Sequence, residues 1–198
     1  MNCALLVDGT MLSGLASWST LRDATSAVSL YADLGEIAGG VGPWLIPGKS
    51  LQDLNAAGLA LPARLGVSEL LFRVSLVDLN EHLQGLRHVE TSDGQRYFLR
   101  YADMRAIGAL LIALDASPQR RLLFGPLSGW RHFDRDGELR DWVRSDSSYR
   151  PSGSKAQPRG VRLDDMQLSR LLDAMLADRL SSALEELGES GLNPHADA

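Results

Sequence analysis

The stretch HVETSDGQRYFLRYAD, residues 88–103, indicates the fold more strongly than any other part of the chain. Two runs rich in β-branched and aromatic residues, 88–91 and 96–101, flank the tetrapeptide Ser92-Asp93-Gly94-Gln95. Asp-Gly between two such runs is a strong hairpin signal, because glycine readily adopts the positive φ that a tight turn requires. The stretch therefore predicts two antiparallel strands.

Helical patterns lie on both sides of this hairpin. Before it, Ser75 is a suitable N-cap for a helix with the apolar stripe Leu76, Leu79, Leu83 and Leu86. After it, Asp103 is a suitable N-cap for a helix with the stripe Met104, Ile107, Leu111 and Leu114. Apolar residues at this spacing predict helices that bury one face.

Further strands and helices are predicted outside this central region. The predicted strands are residues 3–7, 28–31, 44–46 and 70–74. A helix is predicted over 11–22, a loop over the glycine-rich residues 39–43, and a second hairpin around the Asp136-Gly137 turn. Strands and helices that mix in this way, with hairpins among them, predict an α+β fold with a mixed, largely antiparallel sheet and flanking helices.

The composition changes after residue 144. Residues 145–160 contain five serines, two prolines and two glycines, which predicts a flexible linker or loop. A long helix is predicted over 163–187, with an apolar arc that includes Leu168, Leu171, Leu172, Met175, Leu176 and Leu180. The chain is thus predicted to comprise a core domain, residues 1–144, the linker 145–160, and an appended helical segment with a frayed tail, 161–198.

Composition and charge argue against several classes of protein. The chain has 198 residues, 44% of them hydrophobic, and a net charge of −5, which disfavours a general nucleic-acid binder. No apolar run approaches the roughly 20 residues of a membrane-spanning helix. The first eight residues lack the basic start of a signal peptide. We therefore expect a cytoplasmic protein that binds no nucleic acid and does not insert into a membrane.

The charge is distributed unevenly towards the C-terminus. Residues 120–162 hold ten Lys or Arg against five acids, whereas residues 163–198 hold two Arg against eight acids. These regions either pair with each other, contact a partner or form two solvated surfaces.

No metal or cofactor is expected from the sequence. Cys3 is the only cysteine, and the four histidines lack the spacing of zinc ligands. The glycine-rich residues 39–43 lack the lysine and hydroxyl residue of a phosphate-binding P-loop.

Asp8 is the main candidate for a catalytic residue. An aspartate at the end of a buried strand can accept a phosphoryl group, and Val7-Asp8-Gly9-Thr10 resembles part of the first motif of haloacid-dehalogenase-like phosphatases. That motif requires a second acid where this chain has Thr10. The alternative is that Asp8-Gly9 only turns the chain. Since no complete catalytic set can be assembled, we expect a protein that is not an enzyme.

Arg100, Asp103 and Arg105 form a second charged group. Two arginines and an acid within six residues can bind a phosphate or a carboxylate. They can equally form a structural ion pair at the turn between a strand and a helix.

Several segments, taken in order, resemble one known family. They are residues 4–9, Ser29-Leu30-Tyr31, Gly42-Pro43-Trp44-Leu45, Glu81-His82-Leu83 with Leu86, the Asp93-Gly94 hairpin leading into 98–103, and Phe124-Gly125-Pro126 followed by Trp130. This order is similar to that of the type VI secretion effector adaptors, or Tap/Tec chaperones, and the resemblance covers about residues 3 to 143. The structural residues that it singles out are Asp8, Gly42, Pro43, Trp44, Arg100 and Asp103. The family's aromatic-aromatic-Asp-Pro run is altered here at Ala102 and Met104.

The resemblance implies an adaptor that binds a secreted effector protein, at the effector's N-terminal region, and helps to load it onto the spike protein. The residues expected to bind the effector are Leu168, Leu172, Met175, Leu176 and Leu180, unless this helix packs on its own domain. The other functions left open are a phosphohydrolase that uses Asp8 and an effector-binding immunity or regulatory protein.

Overall fold

Six strands form the main sheet in a computed structural model that describes residues 1–23, 26–115, 117–144, 160–174 and 176. The strands are β1 (Asn2–Asp8), β2 (Val28–Ser29), β3 (Pro43–Pro47), β4 (Val67–Phe72), β7 (Leu127–Phe133) and β8 (Leu139–Val143). Their order is β2-β3-β1-β4-β7-β8, and every neighbouring pair is antiparallel.

The central strand β1 is buried on both faces. Ala4 and Leu6 join one apolar core, whereas Leu5 and Val7 join a second core on the opposite face. Side chains of a strand alternate between the two faces, so a strand covered on both sides needs a continuous apolar run. This double burial is the physical reason for the uninterrupted apolar sequence over residues 4–7.

A second sheet contains β5 (His88–Thr91), β6 (Arg96–Phe98) and β9 (Val161–Leu163). The predicted hairpin is confirmed, since β5 and β6 are antiparallel and Gly94 adopts a φ of 82° in the turn. Strand β9 pairs with β5 in parallel. This corrects the prediction that a helix begins at Leu163.

The helices cover both faces of the main sheet. They are α1 (Gly9–Leu12), α2 (Ala16–Asp23), α3 (Glu36–Val41), α4 (Leu61–Arg64), α5 (Leu76–Gly85), α6 (Met104–Ala113) and α7 (Pro118–Phe124), with short 3-10 helices at Ala32–Leu34 and Ala56–Gly58. The predicted α+β fold is confirmed, as are the caps Ser75 and Asp103, whose side chains accept backbone hydrogen bonds at the starts of α5 and α6.

Two predictions about the N-terminal half are wrong. The helix predicted over 11–22 is two short helices, because the chain turns at Ser13-Gly14 and glycine destabilises a helix interior. The loop predicted over 39–43 is the last turn of α3 followed by the start of β3.

A C-terminal helix, α8, covers residues 165–174. It begins at a reciprocal cap: the backbone N–H of Gln167 donates to Asp164 Oδ1 at 2.8 Å, and the N–H of Asp164 donates to Gln167 Oε1 at 3.0 Å. Leu171 is 5% exposed and belongs to the larger core, against which Leu168 also packs. This part of the helix therefore packs on its own domain.

The outer side of α8 carries the remaining members of the predicted arc. Leu172 and Leu176 are more than half exposed. Met175, Leu180 and residues 145–159 of the predicted linker lie outside the described residues.

Candidate functional site

Five of the six residues singled out by the family resemblance meet at one end of the main sheet. Asp8 is the last residue of β1 and is paired with Pro43, the first residue of β3. The N–H of Gly9 donates to the carbonyl of Gly42 at 3.2 Å. Arg100 reaches the same place from the loop between β6 and α6.

The carboxylate of Asp8 is fully engaged by its neighbours. Its Oδ1 accepts the backbone N–H of Thr10 at 3.0 Å and that of Met11 at 3.4 Å, which caps α1. The hydroxyl of Thr10 also donates to Oδ1. Its Oδ2 accepts a hydrogen bond from Arg100 Nη2 at 2.8 Å. Asp8 therefore does more than turn the chain, since it joins a helix start to a distant arginine.

Asp103 completes this group from the other side of Arg100. Its Oδ2 lies 3.7 Å from Arg100 Nη1. Oδ1 of Asp103 also accepts a hydrogen bond from Arg105 Nε at 2.9 Å, and Oδ2 accepts one from Arg105 Nη2 at 2.7 Å. Arg100, Asp103 and Arg105 thus form ion pairs at the turn between β6 and α6, as one of the two interpretations of the sequence predicted. Asp8 also belongs to this charged group, through its ion pair with Arg100, which no pattern in the sequence indicated.

The two carboxylates and the shared arginine differ in accessibility. The side chains of Asp8 and Asp103 are each 7% exposed, whereas that of Arg100 is 49% exposed. The negative charges consequently lie beneath the surface, and the accessible charge at this point is positive.

Arg100 lies on the wall of a groove with a volume of about 560 Å³. The other walls are largely apolar and come from the segment before α3, from α3 and from β6: Tyr31, Leu34, Ala38, Val41 and Phe98. We call this feature the Arg100 groove.

Tyr31 forms the aromatic wall of the Arg100 groove. Its ring packs in T-shaped arrangements with the rings of Phe98 and Tyr101, at centroid distances of 5.4 and 6.0 Å. The guanidinium of Arg87 lies 5.2 Å from the centre of the same ring. Burial raises the pKa of Tyr31 to about 12, so the phenol remains neutral at physiological pH. Tyr31 is part of the family resemblance, but no motif in the sequence assigns it to a site.

Gly42 is required by the close approach of Tyr31. A Cβ at this position would lie 2.6 Å from a ring carbon of Tyr31 and 2.6 Å from the carbonyl oxygen of Ala38. Both distances are shorter than van der Waals contact allows. A glycine before Pro43 therefore lets the aromatic ring lie against the end of α3.

Trp44 is the one motif residue that does not belong to this site. It packs on the opposite face of the main sheet, with its ring 6.2 Å from that of Trp18. The alternation of side chains along β3 explains this, because Trp44 follows Pro43 directly.

Leu168, Leu172 and Leu176, the predicted effector-binding leucines that the structure describes, are not among the residues that line the Arg100 groove. The end of α8 instead borders a smaller hollow of about 220 Å³ beside α6, where Arg135 Nη2 donates to the carbonyl of Ala174 at 2.8 Å. The described end of α8 and the Arg100 groove are therefore two separate parts of the surface.

Membrane-spanning helices and metal-binding clusters are both absent from the described part of the chain. There, no helix is both long and apolar enough to cross a bilayer. Nor do three or more His, Cys, Asp or Glu residues group together there so as to hold a metal ion.

Comparison with known proteins defines the class of this chain. Residues 4–121 match the model of a family described as a domain of unknown function, DUF4123. This match covers more than half of the chain, and the protein therefore belongs to that family. No curated protein and no solved structure gives a significant match.

Proposed function

We propose that this protein is a cytoplasmic adaptor that binds a secreted effector of a type VI secretion system and helps to load it onto the spike. Membership of the family supports this proposal, because the matched range, residues 4–121, contains most of the segments that resemble effector adaptors. The strongest support is that five of the six residues singled out by the resemblance, distant in sequence from Asp8 to Asp103, lie together beside one open groove.

The chemistry of this groove suits protein binding. Its walls are mostly apolar, and several of their side chains are about half exposed, including Leu34, Val41 and Phe98. Exposed apolar residues that lie together on a folded domain are typical of surfaces that contact other proteins.

The contacts of Asp8 favour a positioning role over a phosphoryl-accepting one. A nucleophilic carboxylate must present an oxygen to the substrate, but both oxygens of Asp8 already accept hydrogen bonds. Thr10, which occupies the position of the second acid in the phosphatase motif, donates its hydroxyl to Asp8. We therefore propose the adaptor function and not a phosphohydrolase.

Leu172 and Leu176 remain part of the proposal as a contact surface for the effector. They lie four residues apart and therefore on one side of a helix, and both are exposed. Leu168 and Leu171 contribute to the core instead.

The first test is to co-express the tagged chain with the products of its neighbouring genes and to identify what copurifies. A stable complex with a toxin-bearing or spike-tip protein is expected. A chain that purifies alone with every neighbour would contradict the adaptor function. In that case an assay of metal-dependent phosphatase activity, with Asp8→Asn as the control, tests the main alternative.

A second test separates an adaptor from an immunity protein, which also binds an effector. Deletion of the gene for an adaptor is expected to stop delivery of the effector while the cell stays viable. Self-poisoning that is relieved by inactivating the effector would instead identify an immunity protein.

A further inference from the structure

We infer that the Arg100 groove binds an apolar segment of the effector that carries a carboxylate, with the carboxylate against Arg100. This inference rests on the proposed adaptor function and adds to it the binding surface and the chemistry of the bound segment. It is carried by the arrangement of apolar residues around the groove, by the accessible charge within it and by the rigidity of its polar wall.

The apolar residues continue beyond the groove onto the surface of α3. Ile37 is 85% exposed and lies four residues before Val41, so that both occupy one side of this short helix. Leu34 and Phe98 are about half exposed, and both line the groove. A bound segment that covers these four side chains would remove a contiguous apolar surface from water.

The accessible charge in the groove is that of Arg100. Its two carboxylate partners are 7% exposed, whereas Arg100 is 49% exposed, and a guanidinium has five N–H donors in a planar fork. Donors on the exposed side of this fork suit a carboxylate of the partner. An incoming lysine or arginine would meet the cation first.

Asp33 and Glu36, which flank the groove-lining residues Leu34 and Ala38 in sequence, do not reverse that preference. Asp33 is bound by both terminal nitrogens of Arg87, at 2.6 and 2.5 Å, which satisfies its charge. Glu36 is two residues before Ala38 and therefore points away from the side of α3 that lines the groove.

The polar wall is rigid before any partner arrives. Arg100 is already held by Asp8 at 2.8 Å and by the hydroxyl of Thr10 at 3.1 Å. A side chain that is ordered in the free protein loses little conformational entropy on binding. The same contacts make Arg100 unsuitable as the only position to test, because its replacement also removes a partner of Asp8.

Ile37→Glu in the full-length chain is the decisive variant, with Val77→Glu on α5 as the matched control. Both positions are strongly exposed apolar residues on helices, so neither substitution is expected to lower the melting temperature. With the effector that copurifies with the wild-type chain, we expect Ile37→Glu to raise the Kd by a factor of about 10 or more, because it places a charge within the apolar surface that the bound segment covers. Val77→Glu is expected to leave the Kd within about twofold of the wild type.

The result distinguishes this inference from the adaptor function itself. If the wild-type chain binds the effector and Ile37→Glu binds equally well, the groove is not the binding surface, although the adaptor function stands. If only the double variant with Leu172→Asp and Leu176→Asp loses binding, the outer side of α8 is the effector-binding surface and the inference is overturned. If the wild-type chain binds no neighbouring product, both proposals fail.

A photo-crosslinking amino acid at position 34 tests the chemistry of the bound segment. We expect an adduct with an effector segment that contains Asp or Glu among apolar residues. Replacement of that acid by its amide is then expected to weaken binding to the wild-type chain and to have little effect on binding to Arg100→Gln. A segment without an acid, or an equal effect in both chains, would contradict the assignment of Arg100.

Discussion

Asp8 and Arg100 are separated by 92 positions in the sequence, yet Oδ2 of Asp8 and Nη2 of Arg100 lie 2.8 Å apart. This contact joins the end of the central strand β1 to the loop that connects the hairpin β5-β6 with α6. The buried carboxylate also caps α1, so one side chain holds together three parts of the fold.

Asp8→Ala is expected to destabilise the protein by about 2 kcal/mol, because it removes a helix cap and a buried partner of Arg100 together. Asp8→Asn is the matched control, since asparagine is an equally good N-cap but lacks the charge. It is expected to recover about half of the loss. Urea denaturation measures both values, and equal stability of Asp8→Ala and wild type would refute the structural role of this contact.

Gly42→Ala is expected to destabilise the protein by about 1 to 3 kcal/mol, because the new methyl group would overlap the ring of Tyr31 and the carbonyl of Ala38. Gly40→Ala, in the preceding turn of α3, is the matched control. A methyl group at position 40 would have no neighbour within 4 Å, so the higher helix propensity of alanine should stabilise the protein by up to about 1 kcal/mol. Thermal unfolding of the two variants should therefore shift in opposite directions.

Local signals were sufficient to predict several elements. The Asp93-Gly94 and Asp136-Gly137 turns, with positive φ at each glycine, lie in the two predicted hairpins. Leu79, Leu83 and Leu86 of the predicted α5 stripe and all four residues of the α6 stripe face a core, as expected for apolar side chains at helical spacing. Leu76, at the start of α5, is instead 39% exposed. In each of these elements the determining residues are close together in sequence.

The remaining features depend on contacts that are distant in sequence. Leu163 continues an apolar helical pattern, but pairing of β9 with β5 places it in a strand. Gly39 and Gly40 indicated a loop, yet they lie in α3. The Arg100 groove forms only when the folded sheets bring Tyr31, α3 and Phe98 together. A motif or a residue spacing within one segment cannot predict such a groove.

Leu171→Ala and Leu172→Ala are neighbouring substitutions with opposite expectations. Leu171 is 5% exposed in the core, so its truncation is expected to cost about 2 to 3 kcal/mol. Leu172 is 55% exposed, and its truncation should change stability by less than about 0.5 kcal/mol. Equal losses in a denaturation experiment would show that α8 does not pack as described.

Acidification is expected to destabilise the protein between about pH 6.5 and pH 4. Burial lowers the pKa of His82 to about 4, while its Nε2 lies 3.0 Å from the carbonyl of Leu123. Burial also lowers the pKa of His132, whose Nε2 accepts a hydrogen bond from the indole of Trp142 at 2.9 Å. Below pH 6.5 the unfolded chain therefore binds protons that the folded chain does not, and stability falls as pH falls.

His82→Gln tests the share of this effect that belongs to one residue. From its pKa values, His82 should account for a loss of about 2 kcal/mol between pH 8 and pH 5. The variant should show a correspondingly smaller change in the free energy of unfolding over that interval. His88→Gln is the control at a less buried histidine, and an identical pH dependence in all three proteins would refute the assignment.

The position of β7 has a consequence for the boundaries of this domain. The family match ends at residue 121, before β7 begins. Strand β7 is nevertheless the neighbour of β4 on the side opposite β1, and the indole N–H of Trp130 donates to Ser68 Oγ of β4 at 3.0 Å. A fragment that stops where the match stops would leave one whole edge of β4 without hydrogen-bond partners, and an uncovered edge favours aggregation. The range of sequence similarity therefore ends before the main sheet is complete.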